Sequence, residues 1–177
     1  MKKTLLLLLS ILFCSPVFPV STEPSKIDVS TVVQGINRMK ITASPFSGNP
    51  AQFENAPVYT GPLEITAPGE QDFSAYLSII SNNHNGYTVS MSATSMTYAV
   101  TGQASAYIDY TVTVNGQSII TNEATSVAPV DVITVPTMSG LGSQSHKIYI
   151  NVNQADFASA VEGTYTGMVT FQYTSNI

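Results

Sequence analysis

Apolar and polar residues alternate along most of the chain, with the period of two that turns one side of a β-strand toward a core. Turn residues bound these runs: an asparagine-rich stretch ends at Gly86, and Asn115 with Gly116 favours a tight hairpin into Ile119. Short strands at this spacing predict an antiparallel β-sandwich, with a barrel as the second choice. The apolar members of the clearest runs are Met39, Ile41 and Ala43; Phe73, Ala75, Leu77 and Ile79; Tyr87, Val89 and Met91; Ile108, Tyr110, Val112 and Val114; Val130 and Val132; and Ile148, Ile150 and Val152.

Two segments interrupt the alternation. Residues 44–62 contain four prolines, which cannot donate to a strand ladder, so we expect a long loop or an irregular edge. Phe46, Phe53 and Tyr59 within it are expected to pin the loop onto the sandwich, with a recognition patch as the alternative. Residues 137–146, rich in serine and glycine, are predicted to form a second loop. Residues 154–160 are the one helical candidate, about a turn long.

The last alternating run lies close to the carboxyl terminus and has a strongly apolar face. Tyr165, Val169, Phe171 and Tyr173 fall on one side of an extended strand, and Gly167 leaves a gap in their row. Near the other end, Ile27, Val29, Thr31 and Val33 form a similar row ahead of the first strand of the domain. A strand in that position must either complete its own sheet or pair with the sheet of another molecule.

The first residues have the features of a secretory signal peptide. Lys2 and Lys3 form a basic head before an apolar run too short to span a bilayer as a helix. We expect cleavage between residues 20 and 25 and divide the chain into a signal peptide (1–22), an amino-terminal extension (23–36) and one sandwich domain (37–177). Cys14 raises the alternative of a lipoprotein, although a bulky Phe13 precedes it. The product is therefore expected to be exported.

Composition excludes several classes of protein. Without Lys2 and Lys3, four basic residues face eleven acidic ones, a net charge of −7. Such a surface repels nucleic acid and anionic lipid, so no nucleic-acid partner is expected. The single cysteine allows no intramolecular disulfide, and burial alone must stabilise the fold.

No motif indicates catalysis, a cofactor or a metal. His84 and His146 lack the spacing of zinc ligands, and no Gly-x-Ser-x-Gly sequence marks a hydrolase nucleophile. The glycine-rich stretch from Gly140 lacks the third glycine of a dinucleotide-binding fingerprint. We therefore expect a protein that is not an enzyme and binds no cofactor. An acidic pair meeting in a cleft, as in glycoside hydrolases, is the one catalytic arrangement that sequence spacing leaves open.

Three stretches together resemble a known family. Residues 85–92 (NGYTVSMS), residues 110–116 (YTVTVNG) and residues 163–173 (GTYTGMVTFQY) are similar, in order and position, to exported pilin-like domains of Gram-negative bacteria. These are the subunits of chaperone–usher fimbriae and the spore coat protein U-like domains. The likeness covers the chain from about Phe73 onward.

The resemblance implies a pilin-like, immunoglobulin-like β-sandwich that lacks its last strand, and a mechanism of assembly. The product would pass the inner membrane into the periplasm, then reach the cell surface or be secreted. In the periplasm a chaperone would fill the open groove first. At an outer-membrane usher, the amino-terminal extension of a neighbouring copy or related subunit would replace it. The implied donor residues are Ile27, Val29, Thr31 and Val33, and the implied acceptor residues are Tyr165, Val169, Phe171 and Tyr173.

A second interpretation stays open at this point. A sandwich whose edge is closed by its own chain would be a secreted binding module, an adhesin whose loops contact sugars or a host surface. Phe53, Tyr59 and Tyr107 would then supply the contacts, and the amino-terminal strand would pair within its own chain.

Overall fold

The computed structural model describes residues 27–99, 101–102 and 104–177, so the predicted signal peptide lies outside the described residues. The chain divides into two units, with the boundary between Val33 and Gln34. In the first unit, residues 27–33 have no regular secondary structure. No helix in the described part of the chain is both long and apolar enough to cross a membrane.

The second unit is built almost entirely of strands. Its elements are β1 (Asn37–Thr42), α1 (Pro50–Asn55), β2 (Gly69–Ser81), β3 (Tyr87–Tyr98), β4 (Ala106–Ile108), β5 (Tyr110–Val114), β6 (Gln117–Ile120), β7 (Val130–Val135), β8 (Gly142–Val152), α2 (Gln154–Ser159) and β9 (Thr166–Ser175).

The strands form two antiparallel sheets. The first sheet has the order β1-β2-β8-β5-β6. In the second sheet, β9 follows β3 from Tyr87 to Thr97 along one edge. Two shorter strands, β7 and β4, therefore share the other edge of β3, one after the other. Both β1 and β9 are edge strands, one in each sheet, among the described residues.

The alternating residues of the sequence form the core between the sheets. Leu77 and Ile79 of β2, Val89 and Met91 of β3 and Val112 of β5 are completely buried. Asn115 and Gly116 both adopt positive φ, as the predicted tight hairpin requires. The antiparallel β-sandwich predicted from the sequence is confirmed, as is the short helix after β8.

Two local predictions are wrong. Residues 44–62 contain α1, whose start is fixed by a capping box between Asn49 and Gln52. Phe46 and Phe53 pack with Ile80 in a second small core, and only 3% of Phe53 is exposed. The second predicted loop ends early, because residues 142–146 already belong to β8 and pair with β2.

A carboxylate fixes the corner where the chain leaves the second sheet for the first, between β4 and β5. One oxygen of Asp109 accepts hydrogen bonds from the Ser95 hydroxyl, from the Thr121 hydroxyl at 3.0 Å and from the Glu123 backbone N–H at 2.8 Å. Ser95 and Thr121 are both buried. The Thr121 hydroxyl also bonds to the Tyr110 backbone, whereas Asp109 is the hydrogen-bond partner of the Ser95 hydroxyl. Because a buried hydroxyl without a partner is unfavourable, this corner depends on the carboxylate.

We predict that Asp109→Ala lowers the free energy of unfolding by about 2–3 kcal/mol, since hydrogen bonds to a charged group are among the stronger ones and the buried Ser95 hydroxyl loses its partner. Asp131→Ala is the matched control, because Asp131 is exposed on β7. Chemical denaturation of both variants measures the difference. Equal stability of the two variants would show that Asp109 does not hold the corner.

A candidate strand-acceptor groove

The inner face of β9 is only half covered. The four residues predicted to line an acceptor lie in one row against the core, as the alternation of the sequence requires. Each is half-buried, whereas the facing row of β3 is buried throughout. Thr166, Thr170 and Gln172 on the other face of β9 are exposed. A strand with this profile lies beside an opening in the core.

The opening is a groove between β9 and β1, the edge strands of the two sheets. A cavity of about 290 Å³ lies there, with Val169 and Phe171 on one wall and Met39 and Ile41 on the other. Leu77 of β2 contributes to its lining. The sequence pointed to one wall; the other wall, on β1, is brought opposite only by the packing of the two sheets.

Tyr173 closes the groove at the end where β9 stops, which we call the lower end. Its ring stacks on Tyr87 with the ring centroids 5.0 Å apart. Its hydroxyl donates to Asn37 Oδ1 at 2.9 Å and lies 3.2 Å from the Ser81 hydroxyl. These contacts join β9 to β1 and β2, so Tyr173 bounds the groove more than it lines it.

The upper end, where β9 begins, is wider. Cavities of about 350 and 750 Å³ lie there, and Leu63, Ile65, Met96 and Tyr165 line both. The Tyr165 hydroxyl donates to the Val161 carbonyl at 3.1 Å. Burial raises the pKa of Tyr110, at the base of the smaller of these cavities, to about 12, so its hydroxyl stays neutral at physiological pH.

The backbone of β9 turns a free edge toward the groove. Asn176 N–H donates to Gly86 O, and the register continues through the pair Ser175 and Tyr87. Because hydrogen bonding alternates along an antiparallel pair, Thr170 and Gln172 bond to β3, while the N–H and C=O groups of Val169 and Phe171 point the other way. Within the described residues β9 pairs with β3 alone.

The edge of β1 is open over half of its length. Asn82 N–H donates to Ile36 O, so Arg38 and Lys40 are the residues of β1 that bond to β2. The backbone N–H and C=O groups of Met39 and Ile41 therefore point away from β2. Ile41 O accepts from Tyr59 N–H at 3.0 Å, so the segment after α1 already occupies the upper part of this edge. Met39, lower on β1, has no backbone partner on that side in the described part of the chain.

Gly167 has a packing role besides leaving a gap in the row of β9. A Cβ at this position would lie 2.9 Å from Thr94 O and 3.2 Å from the Met96 backbone nitrogen. The register between β3 and β9 shifts at this point, between Thr94 and Thr97. Only glycine therefore lets the start of β9 approach β3 so closely.

The predicted donor residues lie in the first unit and face solvent. Ile27, Val29 and Val33 are between 80 and 92% exposed, and Thr31 is also exposed. Val32, on the opposite side of the predicted row, is 89% exposed. Four exposed branched apolar side chains in seven residues form a surface that burial in another protein would stabilise.

The two histidines considered as metal ligands or catalytic bases lie in different parts of the fold. His84 Nδ1 lies 3.0 Å from Met138 O, in the turn after β2, while His146 lies on β8 beside Gln144. Burial lowers the pKa of His146. No three His, Cys, Asp or Glu residues cluster as metal ligands within the described residues. Phe53, a candidate contact residue of a binding module, is buried and cannot serve as one in this fold.

Searches of protein-family models and of curated proteins returned no match to this chain.

We predict that Tyr173→Phe lowers the free energy of unfolding by about 1 kcal/mol, because the hydroxyl joins the two edges of the groove while the ring stack on Tyr87 remains. Tyr149→Phe is the matched control, since Tyr149 lies on the outer side of β8. Thermal or chemical unfolding compares the two. An equal effect of both substitutions would show that the Tyr173 hydroxyl does not close the lower end.

Proposed function

We propose that this protein is an exported structural subunit of a bacterial surface fibre or coat, assembled by β-strand complementation. The extension of one copy, with Ile27, Val29, Thr31 and Val33, would enter the groove of another, beside Val169 and Phe171. One observation carries the proposal: a half-covered strand with a free backbone edge occurs in the same chain as an exposed, alternating apolar segment.

The apolar contacts supply the larger part of the expected stability. Burying three branched side chains of the extension contributes roughly 1.5–3 kcal/mol each before the ordering of the segment is subtracted. The same step would remove from solvent the exposed parts of the groove residues Val169, Phe171, Met39 and Ile41. Insertion of one strand therefore buries apolar side chains of both the donor and the acceptor.

Backbone pairing sets the direction and register. Val169 and Phe171 offer N–H and C=O groups at spacings that match alternate residues of an extended donor. We expect antiparallel pairing, which is slightly more stable per residue than parallel pairing. Because β9 runs from the upper to the lower end of the groove, the donor would run from the lower to the upper end. Residues 34–36 would then link the donor to its own sandwich, above the acceptor.

Partners beyond neighbouring copies are proposed on the sequence resemblance alone. A periplasmic chaperone would hold the groove before assembly, and an outer-membrane usher would be the site of exchange. Related subunits with a similar extension would serve as donors as well as identical copies.

We predict that Val29→Asp abolishes oligomers of the exported chain, whereas Ser30→Asp leaves them. The two substitutions add the same charge at adjacent positions, but an alternating donor turns residue 29 into the groove and residue 30 outward. Size-exclusion chromatography and resistance to heat in detergent measure assembly. If both variants assemble, or if the unmodified protein stays monomeric, donation by this segment is excluded.

The backbone edge of β9 has its own test. Proline at Val169 removes an N–H that points into the groove, so the sandwich should fold and acceptance of a donor should fail. Proline at Thr170 removes an N–H that bonds to β3, so this variant should lose stability by about 3 kcal/mol or more. Unfolding curves and assembly are measured on both. A Val169→Pro protein that assembles normally would contradict pairing along β9.

A self-complete binding module is the second candidate function, and one observation favours it. Tyr59 already pairs with β1, and Leu63 lies over the upper groove, so the chain covers part of its own opening. A monomer whose melting temperature is unchanged by deletion of residues 27–33 would support this function over strand exchange.

A further inference from the structure

Residues 60–66, which we call the strap, lie where an additional strand would be. The strap connects Tyr59, paired at the level of Ile41, to the start of β2 at the upper end. The last residue of β1, Thr42, pairs with Tyr76, so the part of β2 above Tyr76 has no β1 partner beside it. The strap fills this space next to the first residues of β9.

The side chains of the strap follow the pattern of a strand. Leu63 and Ile65 are half-buried, while Pro62, Glu64 and Thr66 are exposed. Leu63 lines a cavity of about 220 Å³ with Val169 and Phe171, the central acceptor residues. Ile65 lines the wider cavities with Tyr165. The strap therefore occupies, with two apolar side chains, part of the volume that a donor strand would fill.

Little besides these two side chains holds the strap in place. Within the described residues its own backbone makes one hydrogen bond, from Thr66 N–H to Gln71 Oε1 at 3.3 Å. Gly61 has φ of 105°, and a Cβ there would meet nothing within 4 Å. Cavities of about 220, 350 and 750 Å³ remain along it, so the strap fills its site incompletely.

We propose that the strap is an internal plug that regulates assembly: it covers the upper groove in the free subunit, and the incoming strand of a second copy displaces it. This inference rests on the proposed function. A donor supplies similar apolar contacts and adds backbone hydrogen bonds to β9 that the strap does not make. The lower groove, beside Met39 and Phe171, is open from the start and receives the donor first.

The plug makes a prediction about rate. Leu63→Ala weakens the hold of the strap and speeds assembly of the full chain by about tenfold or more, the effect of losing some 1.4 kcal/mol or more of contact. Glu64→Ala, on the exposed side, leaves the rate unchanged. Light scattering follows both proteins from the monomer. An unchanged or slower rate of assembly for Leu63→Ala would overturn the proposal that the strap is a plug.

Thiol accessibility tests displacement itself. In the exported chain, from which the predicted signal peptide with Cys14 has been removed, the thiol of Leu63→Cys should react slowly with a maleimide in the monomer. It should react at least about tenfold faster in isolated oligomers, because displacement of the strap exposes it. Glu64→Cys is the exposed control and should react equally fast in both. Ile65→Cys repeats the measurement on the same row if the first variant does not fold.

The outcomes separate the two claims. Oligomers in which the cysteine at position 63 or 65 stays protected would overturn the plug and leave strand complementation intact, with a donor confined to the lower groove. Failure of the unmodified chain to form any oligomer would overturn the proposed function, and the plug with it.

Discussion

The antiparallel pairing of β9 with β3 is the interaction on which the open side of this sandwich depends. β3 is paired on both edges, and its inner row from Tyr87 to Ala93 is buried, so it anchors the second sheet. β9 has this one neighbour among the described residues and leaves its inner row half covered. An edge strand in that state is a template for another strand, and proteins usually protect such edges. This open edge gives a common explanation for three features. The strap covers the upper groove, the Tyr173 hydroxyl closes the lower end, and the exposed extension is the proposed donor.

Alternation in the sequence was sufficient to predict the sandwich, because each core strand presents a continuous apolar row. It also identified both faces of β9 and the tight hairpin at Asn115 and Gly116. Elements without an apolar row were missed. Residues 142–146 have no large apolar side chain, yet they form the first part of β8 because they pair with β2. The helix α1 had a readable signal in Asn49, Pro50 and Gln52, a capping box with proline at the first helical position.

The candidate site was predictable only on one wall. Val169 and Phe171 are neighbours in sequence, so their common face follows from the period of two. Met39 and Ile41 oppose them through packing between sheets, which no local pattern specifies. Tyr173 was expected to line an open groove, but its hydroxyl donates a hydrogen bond to Asn37 and closes one end. The position of Asn37 depends on the pairing of β1 with β2. Leu63 and Ile65 lie just after the proline-rich segment, where the alternation is too short to predict a strand-like role.

An experimental structure of the assembled protein tests the central claim most directly. Strand complementation predicts an additional strand, residues 27–33 of a neighbouring copy, paired antiparallel with β9 at Val169 and Phe171. Assembled copies that contact one another elsewhere, with no strand added to β9 and the groove still open beside Met39, would contradict it.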